Sequence, residues 1–236
     1  MTRSAARSLR ALRVLSQTVF LVIFFVLLVS GSLLFFYFDP LLFVLNFLAT
    51  GTILKVFLLS LIPVALTLVF GRFFCGWVCP FGALHQLVGY LAERGLPLAE
   101  RIRRRRFHRA QNIKYLILIF LLSSLLWHVA GYRQPAPTAL VGLLDPLALF
   151  TRSMDLLLLP LVPPVWESAP ARFYQSGVLL LSVFATAVAL NLKNPRFFCR
   201  FVCPLGALLA LLSRWQVWRV GKVETPCSNC QRCDAR

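Results

Sequence analysis

Residues 72–84, RFFCGWVCPFGAL, return at 196–208 as RFFCRFVCPLGAL; the copies differ only where Gly76, Trp77 and Phe81 match Arg200, Phe201 and Leu205. Each copy contains Cys-x-x-x-Cys-Pro, and the physics of that pattern is local. Proline disfavours helical geometry at the residue before it and is preorganised for the first helical position. Cys79 and Cys203 are therefore expected to break from the preceding helix, with new helices over 81–93 and 205–218. The second cysteine of each pair then stands near an N-cap, where free N–H groups and the positive end of the helix dipole favour a thiolate. Arg72, Arg196 and Arg200 flank the pairs and push the same way.

The repeat extends outward. Phe38-Asp39-Pro40-Leu41 returns as Leu144-Asp145-Pro146-Leu147. Aspartate suits an N-cap and proline the position after it, a reading preferred to a role in quinol binding. Each half thus runs apolar span, Asp-Pro turn, apolar segment, span, Arg-Phe-Phe-Cys, Cys-Pro-x-Gly-Ala-Leu, helix. Both halves run in the same order, which predicts a parallel repeat about an axis along a membrane normal. Repeat one covers about 14–95 and repeat two about 113–218, inside a membrane domain of residues 1–223.

The spans rest on composition. The chain is 59% hydrophobic and 14% charged, with long apolar runs at Thr18–Phe38, Val56–Phe70, Tyr115–Gly131 and Phe173–Leu192. A bilayer span needs about 20 apolar residues. Three runs reach that, and the second does so with Ile53 and a snorkelling Lys55. The first run is too long for the apolar region of a secretory signal and no small-x-small site follows it, so it is read as a retained span. The expected fold class is an all-α membrane protein with four transmembrane helices in two pseudo-repeats. The segment 138–165, broken by Pro146, Pro160, Pro163 and Pro164, is expected to form extracytoplasmic surface helices or a re-entrant piece.

The net charge of +17 has a location. Arg3, Arg7, Arg10 and Arg13 precede the first span, RIRRRRFHR occupies 101–109, and Lys193, Arg196, Arg200, Arg214, Arg219 and Lys222 follow the fourth. By the positive-inside rule the protein is multi-pass with both termini and the 101–109 loop in the cytoplasm. Topology accounts for the charge, and anionic headgroups attract it. The lipid bilayer is the expected partner and nucleic acid is not.

All seven cysteines sit in ligand-like spacings. Cys227, Cys230 and Cys233 form CSNCQRC, the spacing of the first three ligands of the bacterial ferredoxin run C-x2-C-x2-C-x3-C-P. The fourth would fall just past Arg236, so 224–236 is read as the truncated start of a [4Fe–4S] ferredoxin-type segment whose fourth ligand comes from elsewhere. A short zinc-binding or disordered tail is the plainer alternative. Pseudo-symmetry would bring Cys75, Cys79, Cys199 and Cys203 to one site; their thiolates suit an iron–sulfur cluster, zinc or, with fewer ligands, Cu(I). Thiol pairs or disulfides that only staple helices are the rival, though cytoplasmic disulfides are uncommon. His85 is left out of the ligand set as a structural histidine, and Trp77 is read as an interface anchor. No carboxylate falls within an apolar run to serve as a proton relay.

On FCGWVCPFGALH, FCRFVCPLGALLALL, the Asp-Pro repeats and CSNCQRC, the chain resembles the NapH/NosR-type membrane polyferredoxins over most of 14–233. That resemblance implies a membrane-anchored iron–sulfur electron-transfer subunit in a bacterial inner membrane. It implies a [4Fe–4S] cluster on Cys227, Cys230 and Cys233, a second metal or iron–sulfur site at the CxxxCP cysteines, and a quinone. It also implies redox partners of ferredoxin or cytochrome type, and leaves open whether the chain itself is a quinol dehydrogenase. Two other functions fit the same cysteines: copper handling in oxidase or reductase assembly, and redox sensing by a membrane regulator. The lack of a flavin-binding domain before the first span departs from the NosR-like branch.

Overall fold

The computed structural model describes residues 3–32, 34–52, 55–105, 107–130, 142–158 and 177–218. Regular structure among them is helical throughout. The first half contains α1 (Arg3–Val29), a short α2 (Leu34–Tyr37), α3 (Pro40–Thr50), α4 (Leu61–Phe70), α5 (Phe73–Trp77) and α6 (Pro80–Ala92). An arginine-rich α7 (Leu98–Arg105) links it to α8 (Ile113–Val129), α9 (Pro146–Leu158), α10 (Gly177–Lys193), α11 (Phe197–Phe201) and α12 (Pro204–Leu212). The order α3, α4, α5, α6 is repeated as α9, α10, α11, α12.

The two halves interlock. Helix α6 packs on α1 of its own half and on α10 of the other; α12 packs on α8 and, across the halves, on α4 and α3. The core between them is aromatic. Phe81 of α6 lies 5.6 Å from Phe150 of α9, 6.0 Å from Phe184 of α10 and 5.1 Å from Phe198 of α11. Phe24 of α1 stacks on Phe150 at 4.8 Å. Tilted and edge-on pairs at these separations add to area burial, and they join the two halves through a shared aromatic core.

Among the described residues two stretches are long and apolar enough to cross a membrane, Ala11–Val29 and Arg109–Trp127, each of 19 residues, so the expected four spans are not confirmed. The second run gives only ten residues of α-helix, because it starts as a 3-10 helix at Lys55–Ser60. Pro63, the third residue of α4, has no N–H to donate back to the Leu59 carbonyl, so the α-helical ladder does not extend back into the preceding turn. The fourth run gives the 17 residues of α10, about 26 Å of helix, and its expected start at Phe173 lies outside the described residues.

Helix α9 also departs from expectation. It is no surface helix: Pro146 through Thr151, with Ser153 and Asp155, are buried. Together with α3, whose Pro40, Leu41 and Leu45 are buried, it forms the inner layer on which the longer helices pack.

The arginine run is partly spent on bracing. Arg104 donates to the Leu192 carbonyl at 2.8 Å, at the C-terminal end of α10, where a cation complements the helix dipole. Arg105 pairs with Glu93, and its carbonyl accepts from Arg200 at 2.8 Å.

Candidate thiol centre

The Cys-Pro turns fold as the sequence requires. Cys79 and Cys203 are N-caps in extended geometry, each followed by proline at the first helical position. Their sulfurs accept from the backbone N–H of Gly82 at 3.4 Å and of Gly206 at 3.1 Å. The glycines of Cys-Pro-x-Gly are part of the device. A Cβ on Gly82 would stand 2.8 Å from the Cys75 carbonyl oxygen, and one on Gly206 would stand 3.3 Å from that of Cys199. At Gly82 only glycine lets the new helix close back on the carbonyl of the first cysteine, and at Gly206 the approach is tight.

All four cysteines are free thiols, so no disulfide staples these turns. Cys79 and Cys203 are buried; Cys75 and Cys199 are partly exposed. The pairs of the two halves lie within electrostatic range of each other: negative charge on Cys75 would be felt by Cys199, and charge on Cys203 by Cys199, Cys75 and Cys79. Yet among the described residues no three His, Cys, Asp or Glu side chains stand close enough together to hold a metal ion. Soft sulfur donors fit iron or copper, but the ligand set is not closed in this arrangement. Cys227, Cys230 and Cys233 lie outside the described residues.

Electrostatics correct one expectation. The caps and flanking cations do favour thiolates, but burial outweighs them. Burial pushes the Cys75 thiol up to about 12, raises Cys199, and raises Cys79 and Cys203 well above the ordinary thiol value, helped by the neighbouring sulfurs. Without a metal these are protonated thiols, and a metal must displace the protons. The cations that would offset a bound anionic centre are Arg72, Arg196 and Lys114. Lys114 comes from α8, far from either motif in sequence; a lone lysine at the head of an apolar run was its only signal.

His85 packs edge-on to Phe81 at 4.4 Å with both ring nitrogens buried and without a well-formed hydrogen bond. Burial lowers its pKa to about 4, so the ring is neutral. Trp77 stacks on Phe73 at 5.2 Å.

A second polar constellation escaped the sequence reading. Asp39 accepts from Leu41 N–H at 2.8 Å and Asp145 from Ala148 N–H at 3.0 Å, the predicted caps. Both residues are fully buried, and each keeps one oxygen, Asp39 Oδ2 and Asp145 Oδ1, that no N–H or O–H satisfies. The two carboxyl groups lie within hydrogen-bonding reach of each other. Two buried carboxylates at such range do not both ionise, so the pair shares a proton.

The duplicated motif, the buried cap thiols and the all-helical interlocked halves define a class that comparison with known proteins identifies. A family model described as "4Fe-4S binding domain" matches residues 52–108 and 176–226, which include Cys75, Cys79, Cys199 and Cys203. An uncharacterized protein of Methanocaldococcus jannaschii is 26% identical over 97% of this chain and 74% of its own. Regulatory protein NosR of Stutzerimonas stutzeri is 31% identical over 75% of this chain but only 21% of its own. Methylamine utilization ferredoxin-type protein MauN of Methylobacillus flagellatus is 26% identical over 69% of this chain and 47% of its own. No solved structure matches. The chain carries the 4Fe-4S binding-domain match in both halves and is similar to the NapH/NosR-type, ferredoxin-like electron-transport and regulatory proteins.

Proposed function

We propose that the protein is a membrane-anchored iron–sulfur electron-transfer subunit that passes electrons between the quinol pool, or a membrane partner, and clusters on the cytoplasmic side. In this reading Cys75, Cys79, Cys199 and Cys203 form one redox or metal centre at the inner surface. Loading draws the two turns together, and Arg72, Lys114 and Arg196 balance the charge. Cys227, Cys230 and Cys233 hold a [4Fe–4S] cluster with a fourth ligand from elsewhere. The chain crosses a bacterial inner membrane four times with both termini inside, and its partners are ferredoxin-like or cytochrome subunits.

What supports this reading is that two sequence-distant thiol pairs, each with its second cysteine on an N-cap, lie within electrostatic range of each other across the two interlocked halves and inside the matched 4Fe-4S binding domain. Membrane anchoring is supported by the outward faces of α1 and α8. Leu12, Leu15, Val22 and Val26, and Leu116, Ile119 and Trp127, are all more than half exposed, an extent of apolar surface that a soluble monomer rarely shows.

Metal analysis of protein purified without added metals tests it. Iron with acid-labile sulfide, and a broad visible absorbance that bleaches on reduction, is the expected result. Copper without sulfide would contradict it and favour the copper-handling alternative. Iron–sulfur loading with no electron flux from a quinol analogue would favour a redox-sensing regulator.

A further inference from the structure

A cavity of about 1370 Å³ opens between α1, α6, α7 and the turn at 195–200. Its floor is cationic. Arg13 of α1 donates to Gln86 Oε1 at 2.8 Å, Gln17 Nε2 reaches the same oxygen at 3.1 Å, and Arg196 from the other half donates to it as well. Three donors thus converge on one neutral amide oxygen, and two of them are guanidinium groups close enough to repel each other. Among the described residues neither has a carboxylate partner, because Glu93 and Glu100 on this face are taken by Arg105, Arg103 and Arg104. Gln86 stands where an anion would satisfy the site better, since charge-assisted bonds are about twice as strong as neutral ones.

The wall above that floor is apolar. Val14, Thr18 and Leu21 line the cavity on one face of α1, at the i, i+4, i+7 spacing. They belong to the apolar stretch Ala11–Val29. Val14 and Thr18 therefore flank Arg13 and Gln17 on the same helix, and Leu21 carries the apolar lining one turn past Gln17. A free phosphate would use the floor alone; a charged amphiphile uses both floor and wall.

We propose that this cavity binds an anionic membrane lipid, with the phosphodiester between Arg13 and Arg196 and an acyl chain along Val14, Thr18 and Leu21. The proposal rests on α1 spanning the bilayer, as read above. Three variants probe it. Arg13→Gln removes one cation. Arg196→Gly removes the other without strain, because Arg196 sits at φ 59°, a conformation glycine adopts freely. Gln86→Glu installs a permanent internal anion.

The full chain is placed in bilayer discs of phosphatidylglycerol or phosphatidylcholine, and retained lipid is counted by native mass spectrometry. Phosphatidylglycerol should be retained preferentially, and each variant should weaken that preference about tenfold or more, the loss of one charge-assisted contact. Equal retention of both lipids would overturn the proposal, as would a preference that all three variants leave intact. Displacement of the lipid by inorganic phosphate, whatever the tail, would also overturn it and mark a soluble-anion site. Iron and sulfide measured on the same samples separate this result from the iron–sulfur reading. Protein without clusters that still selects phosphatidylglycerol sinks that reading and supports this one.

Discussion

His85, buried beside the candidate centre, leaves a measurable signature of its own. Its ring is enclosed by Phe81 and Phe198, and burial lowers its pKa from 6.5 to about 4. The unfolded chain then binds a proton that the folded one refuses, so stability falls as pH drops from about 6.5 toward 4. The slope integrates to about 3 kcal/mol at most, at 1.36 kcal/mol per unit. Denaturant titrations across that range should show this loss in the parent protein, and His85→Phe should flatten it. An unchanged slope in the variant would place the protonation elsewhere.

The turns that carry the cysteines depend on their glycines as much as on their prolines. Gly82→Ala drives a Cβ to 2.8 Å from a backbone oxygen, whereas Gly206→Ala meets the equivalent atom at 3.3 Å. Overpacking of this kind costs about 1–3 kcal/mol. Thermal unfolding should therefore rank Gly82→Ala well below Gly206→Ala, although the two positions are equivalent in the repeat. At the other pair of caps, Asp39→Asn should be nearly neutral, since asparagine caps as well as aspartate and its amide can donate to Asp145. Asp39→Ala loses the cap and leaves a buried oxygen of Asp145 without a partner, at a cost of about 2–4 kcal/mol. Equal melting temperatures for the two variants would remove the shared-proton pair.

For the molecule as a whole, what the sequence disclosed is local and what it concealed is non-local. The N-caps at Cys79, Cys203, Asp39 and Asp145 were legible because proline and capping chemistry act within a few residues. The repeat was legible because its motifs recur in order. That Asp39 meets Asp145, that Lys114 faces the thiols, and that α9 is buried rather than superficial follow from how the halves interlock, and no period or spacing records that. Run length misled at α4, where the apolar stretch breaks into a 3-10 helix at Lys55–Ser60 and a short α-helix with Pro63 in its first turn. The thiolate expectation misled for a related reason: caps and arginines are visible in sequence, while the burial that outweighs them is not.

The claim most exposed to test is that the four CxxxCP cysteines of both halves form one metal or redox centre, independent of the C-terminal triplet. Replacing Cys227, Cys230 and Cys233 together by serine and measuring iron and acid-labile sulfide in the purified protein addresses it. Iron should persist in part, and should be lost when Cys75 or Cys199 is also replaced by serine. A triple variant with no iron, sulfide or other bound metal would contradict a centre at the membrane thiols.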